Sequence, residues 1–286
     1  MKHDQDTTPQ STLAATEERG DHTEFLRGSG GPGVGGRLIV NVDDWGRDCE
    51  NTDRTLDCFL RGSVSAVSAM VFMSDSERAA EIAREHGIDA GLHMNLTSRF
   101  TSPHTPSRLQ THQERISRFL KSSRFATVVY HPGLASSFEY VVSAQREEFY
   151  RLYGGHARRI DGHHHMHLCA NVLLRRLLPP GILVRRNFSF MPGEKSSLNL
   201  AYRRFVDGIL ARRYQLTDFF FSLPPLEPRQ RLERIFALAK RSVVEVETHA
   251  VNPEEYRFLT SGGIFRYTSN TPIASGFLYN RVLKQT

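Results

Sequence analysis

The chain alternates short apolar runs with longer stretches in which apolar residues recur at helical spacing. Residues "RLIVNVDD" (37–44) are an apolar, β-branched run ending in two acids, which predicts a buried strand. A helical stretch around Arg47–Leu60 follows, and "VSAVSAMVF" predicts a second strand. In "SDSERAAEIAREHG", Ser74 stands three residues before Glu77, as in a capping box, and Gly87 stands where a helix C-cap is expected. "IDAGLHMNL" predicts a third strand. Beyond it the pattern predicts a helix near Ser137–Tyr153, the strand "RRIDGHHHMH", a short helix near Ala170–Leu178 and the strand "ILVRR". A helix near Leu198–Arg213, the strand "DFFFS", a helix near Glu227–Lys240 and the strand "SVVEVETHA" complete the series. Strand and helix in alternation, with short connections, imply a parallel sheet of the α/β class. About seven such units favour a barrel over an open sheet. There is no internal repeat.

Composition narrows the picture. Residues 1–36 are polar and end in "GSGGPGVGG", which cannot supply a core; they are expected to be a disordered leader, with 37–286 forming a single domain. "STLAAT" is too short and too polar for the apolar segment of a secretory signal. No run of about 18 apolar residues predicts a membrane span. The three cysteines, Cys49, Cys58 and Cys169, lack CxxC spacing and fit a reduced cytoplasm rather than a disulfide framework. The formal charge of +6 admits nucleic acid, but the arginines lie in scattered pairs (Arg158-Arg159, Arg175-Arg176, Arg185-Arg186, Arg203-Arg204, Arg212-Arg213). Without a reading motif, no nucleic-acid partner is expected; a basic surface equally suits an anionic substrate or partner.

Candidate chemistry gathers on one side of the expected barrel. Asp43-Asp44, His93, His163 and His249 each lie at or near the C-terminal end of a predicted strand, the rim on which barrels build their sites. Taken singly, each has an ordinary explanation: a helix cap for the aspartates, a core or surface position for the histidines. Their shared placement is what those explanations do not predict. "DGHHHMH" (161–167) holds four of the chain's 13 histidines. Read as a strand, it turns Asp161, His163, His165 and His167 to one face; read as a helix, it still makes neighbours of His163 and His167. Clustered imidazoles near carboxylates favour a metal site over solvated loop histidines.

Three stretches, "LIVNVDDWG", "GLHMNLT" and "RRIDGHHHMH", resemble in order the signatures of the YdjC/ChbG family of carbohydrate deacetylases, which includes HpnK-type enzymes. A Gln-bearing helix just before the histidine stretch is a further likeness. The resemblance implies a distorted (β/α) barrel related to the polysaccharide deacetylases, with parallel strands, surrounding helices and one divalent metal ion (Mg2+, Zn2+ or Mn2+). It implies Asp44, His93 and His163 as metal ligands, Asp43 as general base, and His249 as general acid or acetate-binding group. Asp161, His165 and His167 would then orient the ligands or line the pocket. The implied substrate is an N-acetylated sugar or glycosylated metabolite; a homodimer is compatible with it.

The implied chemistry is coherent. Two imidazoles and a carboxylate leave coordination positions open, and a free carboxylate beside them can take a proton from attacking water. There are departures. The family's last motif reads "HPG" where this chain has "HAV" at His249–Val251, and an "HPG" at His131–Gly133 lies elsewhere and reads as a turn. "RRNFSFMPGEKSSLNLAYRRF" suits either an unusual substrate or an amphipathic helix with a solvated arginine face. A metal-dependent hydrolase of non-sugar amides or esters, and a non-catalytic metal-binding module, are the alternative readings.

Overall fold

Residues 36–190, 194–268 and 272–277 are described by the structure, a computed structural model; the expected leader lies outside them but for Gly36. In chain order they form β1 (Arg37–Trp45), α1 (Cys49–Leu60), β2 (Ala66–Ala69), α2 (Ser76–His86), β3 (Ala90–Met94), α3 (Ser107–Leu120) and α4 (Ala135–Tyr153). Then come β4 (Arg159–Gly162), α5 (Ala170–Leu174), β5 (Leu183–Val184), α6 (Ser197–Ala211), β6 (Phe219–Ser222), α7 (Arg229–Leu238), β7 (Val243–Thr248) and α8 (Pro253–Thr260). All strand pairings are parallel, in the order β5-β4-β3-β2-β1-β7-β6, a curled half-barrel with helices around it.

The predicted strands are all present, though several are shorter than their apolar runs. The largest difference concerns the histidines: β4 ends at Gly162, and 163–168 are neither strand nor α-helix but a kinked turn. The Ser74–Glu77 capping box does not form. Helix α2 begins at Ser76, and the Ser74 hydroxyl instead donates to the Arg47 carbonyl at 3.1 Å. Gly87 does cap the helix, in the left-handed region (φ 65°). Helices α3 and α8 are additional to the predicted set. On α3 the buried face is Leu109, Gln113, Ile116 and Leu120, so a buried glutamine interrupts the apolar stripe.

Strand alternation sorts the interior. Leu38, Val40 and Val42 of β1, Val244 and Val246 of β7, and Phe219 and Phe221 of β6 face outward into one apolar cluster with α7 and α8. Val67, Ala69, Leu92, Met94, Ile160 and Val184 face outward into a second cluster with α2, α3 and α4. The opposite faces look into the barrel and are polar above the floor. Ile39, Ala66 and Leu183 form the floor with Phe277. Asn41, Asp43, Ser68, His93, Arg159, Asp161, Arg185, Glu245 and Glu247 stand above it, all buried. A parallel barrel is ordinarily filled by branched apolar side chains; here the filling is charged.

The half-barrel is open between β5 and β6, and main-chain bonds lace that seam. Val184 N donates to Gln215 O and Gln215 N to Ile182 O, each at 2.9 Å, while Ser189 N donates to Phe220 O at 2.7 Å. Among the described residues no helix is long and apolar enough to cross a membrane.

Two glycines illustrate the packing limits. A Cβ on Gly91 would lie 2.6 Å from the Arg159 guanidinium carbon, so β3 has a glycine where the buried arginine crosses it. Gly208, inside α6, has nothing within 4 Å of its would-be Cβ. Gly91→Ala is expected to destabilise the fold by about 1–3 kcal/mol through overpacking. Gly208→Ala should stabilise it by about 1 kcal/mol through helix propensity. Urea denaturation of the two variants checks both signs.

Candidate metal centre

The centre begins where β1 breaks its alternation. Consecutive strand residues face opposite ways, yet Asp43 and Asp44 both turn toward the barrel mouth. Asp44 adopts a left-handed conformation (φ 65°), and the register with β2 shifts between Val42 and Trp45. A bulge at the strand end thus re-aims one side chain. The histidine run turns by the same device: His164 (φ 55°) and His165 (φ 57°) are both left-handed. Neither the strand alternation nor the helical i, i+4 pairing expected of this run holds. The double kink instead sends its imidazoles to separate places.

His163 points at Asp44, its Nδ1 3.0 Å from Asp44 Oδ1, while its Nε2 lies 3.0 Å from Ser98 Oγ. His93, on β3, has Nε2 3.4 Å from the same Asp44 oxygen. Its Nδ1 lies 2.7 Å from Asp161 Oδ1, the residue paired with it across β3 and β4. Arg47 holds the other Asp44 oxygen at 2.8 Å. Ligand atoms of Asp44, His93 and His163 all lie within 4.8 Å of one another.

Two observations show that this trio fits a cation. Asp44 Oδ1 and His93 Nε2 are buried, and although Asp44 Oδ1 lies 3.0 Å from His163 Nδ1 and 3.4 Å from His93 Nε2, neither contact has the geometry of a hydrogen bond. Such orphans are costly unless something else satisfies them. Second, each histidine has its other ring nitrogen held from outside, the arrangement that fixes an imidazole for metal ligation. Burial disfavours charge on His93, yet the carboxylates of Asp43, Asp161 and Asp44 raise it to about 10. A potential negative enough to do this attracts a cation. A second trio, Asp43, His93 and Asp161, also clusters, but Arg185 already supplies its cation.

Arg185, just beyond β5, is almost wholly buried. It forks onto Asp43, Nη1 to Oδ2 at 2.6 Å and Nη2 to Oδ1 at 2.7 Å. Its Nε donates to Glu245 at 2.8 Å, and it lies 3.2 Å from Asp161 and 3.3 Å from Glu247. Burial would raise the Asp43 pKa, but the guanidinium, with His93, holds it below the ordinary carboxylate range. Asp161 is lowered too: burial would raise it, but Arg185, His93 and Arg159 together outweigh that. Burial and the nearby Asp43 charge push Glu247 well up. Asp43 is therefore an ionised carboxylate 3.9 Å from His93 Nε2, beside the trio but engaged by arginine.

The remaining histidines support or line this centre. His165 sits 3.7 Å from Glu247 and packs edge-on against Phe188, and burial lowers it to about 3. His164 lies 2.9 Å from Thr97 Oγ1. His167, fully buried, bonds the Arg185 carbonyl through Nε2 at 2.9 Å, and burial lowers it to about 4. Gly162 makes room for it: a Cβ there would come within 3.0 Å of His167. His249 follows β7, half-buried, and its backbone N–H donates to Glu255 at 3.0 Å. Its ring makes no hydrogen bond to the trio or to Asp43.

Sequence reasoning missed Arg185, Arg159, Glu245, Glu247 and Ser98. In the sequence the two arginines are halves of scattered pairs, Arg158-Arg159 and Arg185-Arg186. The signal that separates them is their place two residues from an inward-facing strand position, Asp161 for Arg159 and Leu183 for Arg185. Ser98 is brought in by an Asn95-centred turn, whose Oδ1 accepts from Thr97 N and Ser98 N. Gln145 of α4 braces that turn by accepting from Asn95 N at 2.7 Å. The "HPG" of 131–133 leads into α4 and packs His131 against Phe119, 4.9 Å between ring centroids.

The family profile described as YdjC-like protein matches residues 37–259. A mouse carbohydrate deacetylase is 33% identical over 140 residues, 48% of this chain and 44% of that protein. A Serratia marcescens chitooligosaccharide deacetylase is 29% identical over 135 residues, 46% of this chain and 50% of that protein. The matched region spans about half the length of these curated relatives. Among solved structures, a provisionally assigned cellobiose-phosphate cleavage protein of Enterococcus faecalis V583 superposes with a TM-score of 0.60 at 17% identity. The match covers 86% of this chain and 98% of that one, so the likeness is one of fold.

Two outcomes test this description. Asp161→Asn is expected to weaken binding of a divalent ion about 10–100-fold, measured by calorimetric titration, because the amide no longer accepts from His93 Nδ1 as a carboxylate does. His167 titrates near 4 when folded and near 6.5 when unfolded, so the unfolded chain binds more protons between those values. Stability is therefore lost as pH falls through that window, by about 3 kcal/mol from this residue. In His167→Gln the decline in unfolding free energy from pH 6.5 to 4 should be shallower by about one proton.

Proposed function

This chain belongs to the YdjC-like protein family, and we propose that it is a metal-dependent hydrolase that removes the acetyl group of an N-acetylated sugar. The observation that carries the reading is the pair of orphaned ligand atoms, Asp44 Oδ1 and His93 Nε2, converging with His163 beside the ionised Asp43. The deacetylase names of the curated relatives support the substrate class.

In this reading Asp44, His93 and His163 would hold one divalent ion, which when bound would supply Lewis acidity toward the acetamide carbonyl and toward water. Asp43 takes the proton of the attacking water through an oxygen already oriented by Arg185. The fork keeps Asp43 charged and fixes its plane, at the cost of some basicity. Asp161 keeps the His93 tautomer with Nε2 facing the centre. His249, beyond β7, is the proposed proton donor to the departing amine. Two imidazoles favour zinc and the carboxylate admits magnesium or manganese. The unpaired state of Cys49, Cys58 and Cys169 supports a reduced, cytoplasmic setting.

The test uses chelator-stripped protein, refilled with magnesium, manganese, zinc or nothing, and a panel of N-acetylated mono- and oligosaccharides with a non-sugar acetamide as control. Metal-dependent release of acetate with the matching amine is expected, and Asp43→Asn should lower kcat about 10²–10⁴-fold while thermal melts show the variant folded. Release only from the non-sugar control would redirect the substrate class. Metal binding without acetate from any substrate would sink the enzymatic reading.

A further inference from the structure

We infer that the segment 272–277, beyond the end of the family match at residue 259, supports the metal centre from the barrel floor, with Phe277 as a positioning residue for His93. The inference rests on the reading of Asp44, His93 and His163 as metal ligands.

The segment is tied to the strand ends opposite the site. Ile273 bridges to Leu38 in parallel fashion, and Ala274 N donates to Leu38 O at 2.8 Å. Phe277 N donates to Asp89 Oδ2 at 2.8 Å, anchoring the residue just before β3. The Phe277 ring then enters the floor among Ile39, Ala66 and Leu183. Above it the Arg159 guanidinium carbon lies 4.4 Å from the ring centroid. An aromatic face and a desolvated guanidinium attract, and the buried ring fills the floor beneath it.

Arg159 carries that contact upward. Its Nη2 donates to Val67 O at 2.7 Å, and its Nη1 donates to Ser68 Oγ at 2.9 Å and Asp161 Oδ2 at 3.0 Å. Ser68 Oγ lies 2.6 Å from the same Asp161 oxygen. Asp161 Oδ2 is thus fully engaged from below and from Arg185, which leaves Oδ1 for His93 Nδ1 at 2.7 Å. The bare α-carbon of Gly91 gives the guanidinium its channel between the strands. The path Phe277, Arg159, Asp161, His93 crosses the whole barrel interior through contacts of 4.4, 3.0 and 2.7 Å. Removing the ring opens the floor to water and frees Arg159 to swing down into it. Asp161 then loses the donor that fixes its rotation, and His93 loses its orientation.

The test is calorimetric titration of chelator-stripped protein with cobalt(II), together with the visible spectrum of the bound ion, which reports ligand geometry without any turnover. Wild type, Phe277→Ala, Phe277→Leu, Phe277→Tyr and Leu259→Ala are compared. Leu259 is also buried but sits in the outer cluster away from the site, so it controls for simple loss of packing. Phe277→Ala should bind cobalt about tenfold more weakly, with an altered spectrum. Phe277→Tyr should restore both, and Phe277→Leu, which fills the floor without an aromatic face, should fall between. Leu259→Ala should lower Tm with affinity and spectrum unchanged. Wild-type affinity and spectrum in Phe277→Ala would overturn the inference, as would equal losses in Leu259→Ala. Should Phe277→Ala not fold, the leucine variant decides on the same readouts. If wild type and Asp44→Ala alike take up no cobalt, the metal reading itself fails and the inference falls with it.

Discussion

A guanidinium sealed inside a barrel requires acceptors on every side, and Arg185 finds them in Asp43, Asp161, Glu245 and Glu247. Without that cation, four carboxyl groups could not share so small a dry space. With it, and with Arg159, two aspartates stay ionised while burial pushes the two glutamates toward their neutral forms. Phe220 lies beneath the guanidinium at 4.8 Å, closing its remaining face. Removing one partner from such a cluster typically costs about 3–5 kcal/mol, because the other charge is left buried and alone. The same interaction that permits a charged interior therefore also orients Asp43, the base of the proposed reaction, so stability and site geometry draw on one side chain.

Backbone strain concentrates where that chemistry is assembled. Of five described non-glycine residues with positive φ, three are Asp44, His164 and His165. Such conformations cost on the order of 1–3 kcal/mol each and persist only where surroundings over-determine them. Here Arg47 holds Asp44, Thr97 holds His164, and the Phe188 and Glu247 side chains flank His165. Rotating any of these residues back to ordinary φ would return its side chain to the wrong face.

The strand series and six of the eight helices described were legible in the sequence, because apolar periodicity survives wherever a face is buried. The trio Asp44, His93 and His163 was named from its motifs, and the structure brings those three side chains together. What could not be read is how the histidine run folds. Periodicity arguments assume one repeating φ, and two consecutive left-handed residues have no periodic signature. Arg159 and Arg185 were hidden for a related reason. A charged residue next to an apolar run looks solvent-facing until a curled sheet supplies an inside for it. Helix α3 was obscured because Gln113, bonded to the Ser98 carbonyl at 2.7 Å, replaces an apolar residue in its buried stripe.

The laced seam between β5 and β6 has an evolutionary corollary. Every other strand boundary is a parallel ladder, broken only by the shift at the end of β1, and there a length change would move the register. At the seam the two edges meet through a few main-chain bonds contributed by the connecting stretch itself, residues 185–218. Insertions or deletions there alter one wall of the cavity mouth and leave the six pairings, and the ligands they carry, in register. The seam is therefore where a change of length disturbs the sheet least, the physical condition under which related chains can differ in length without moving the strands.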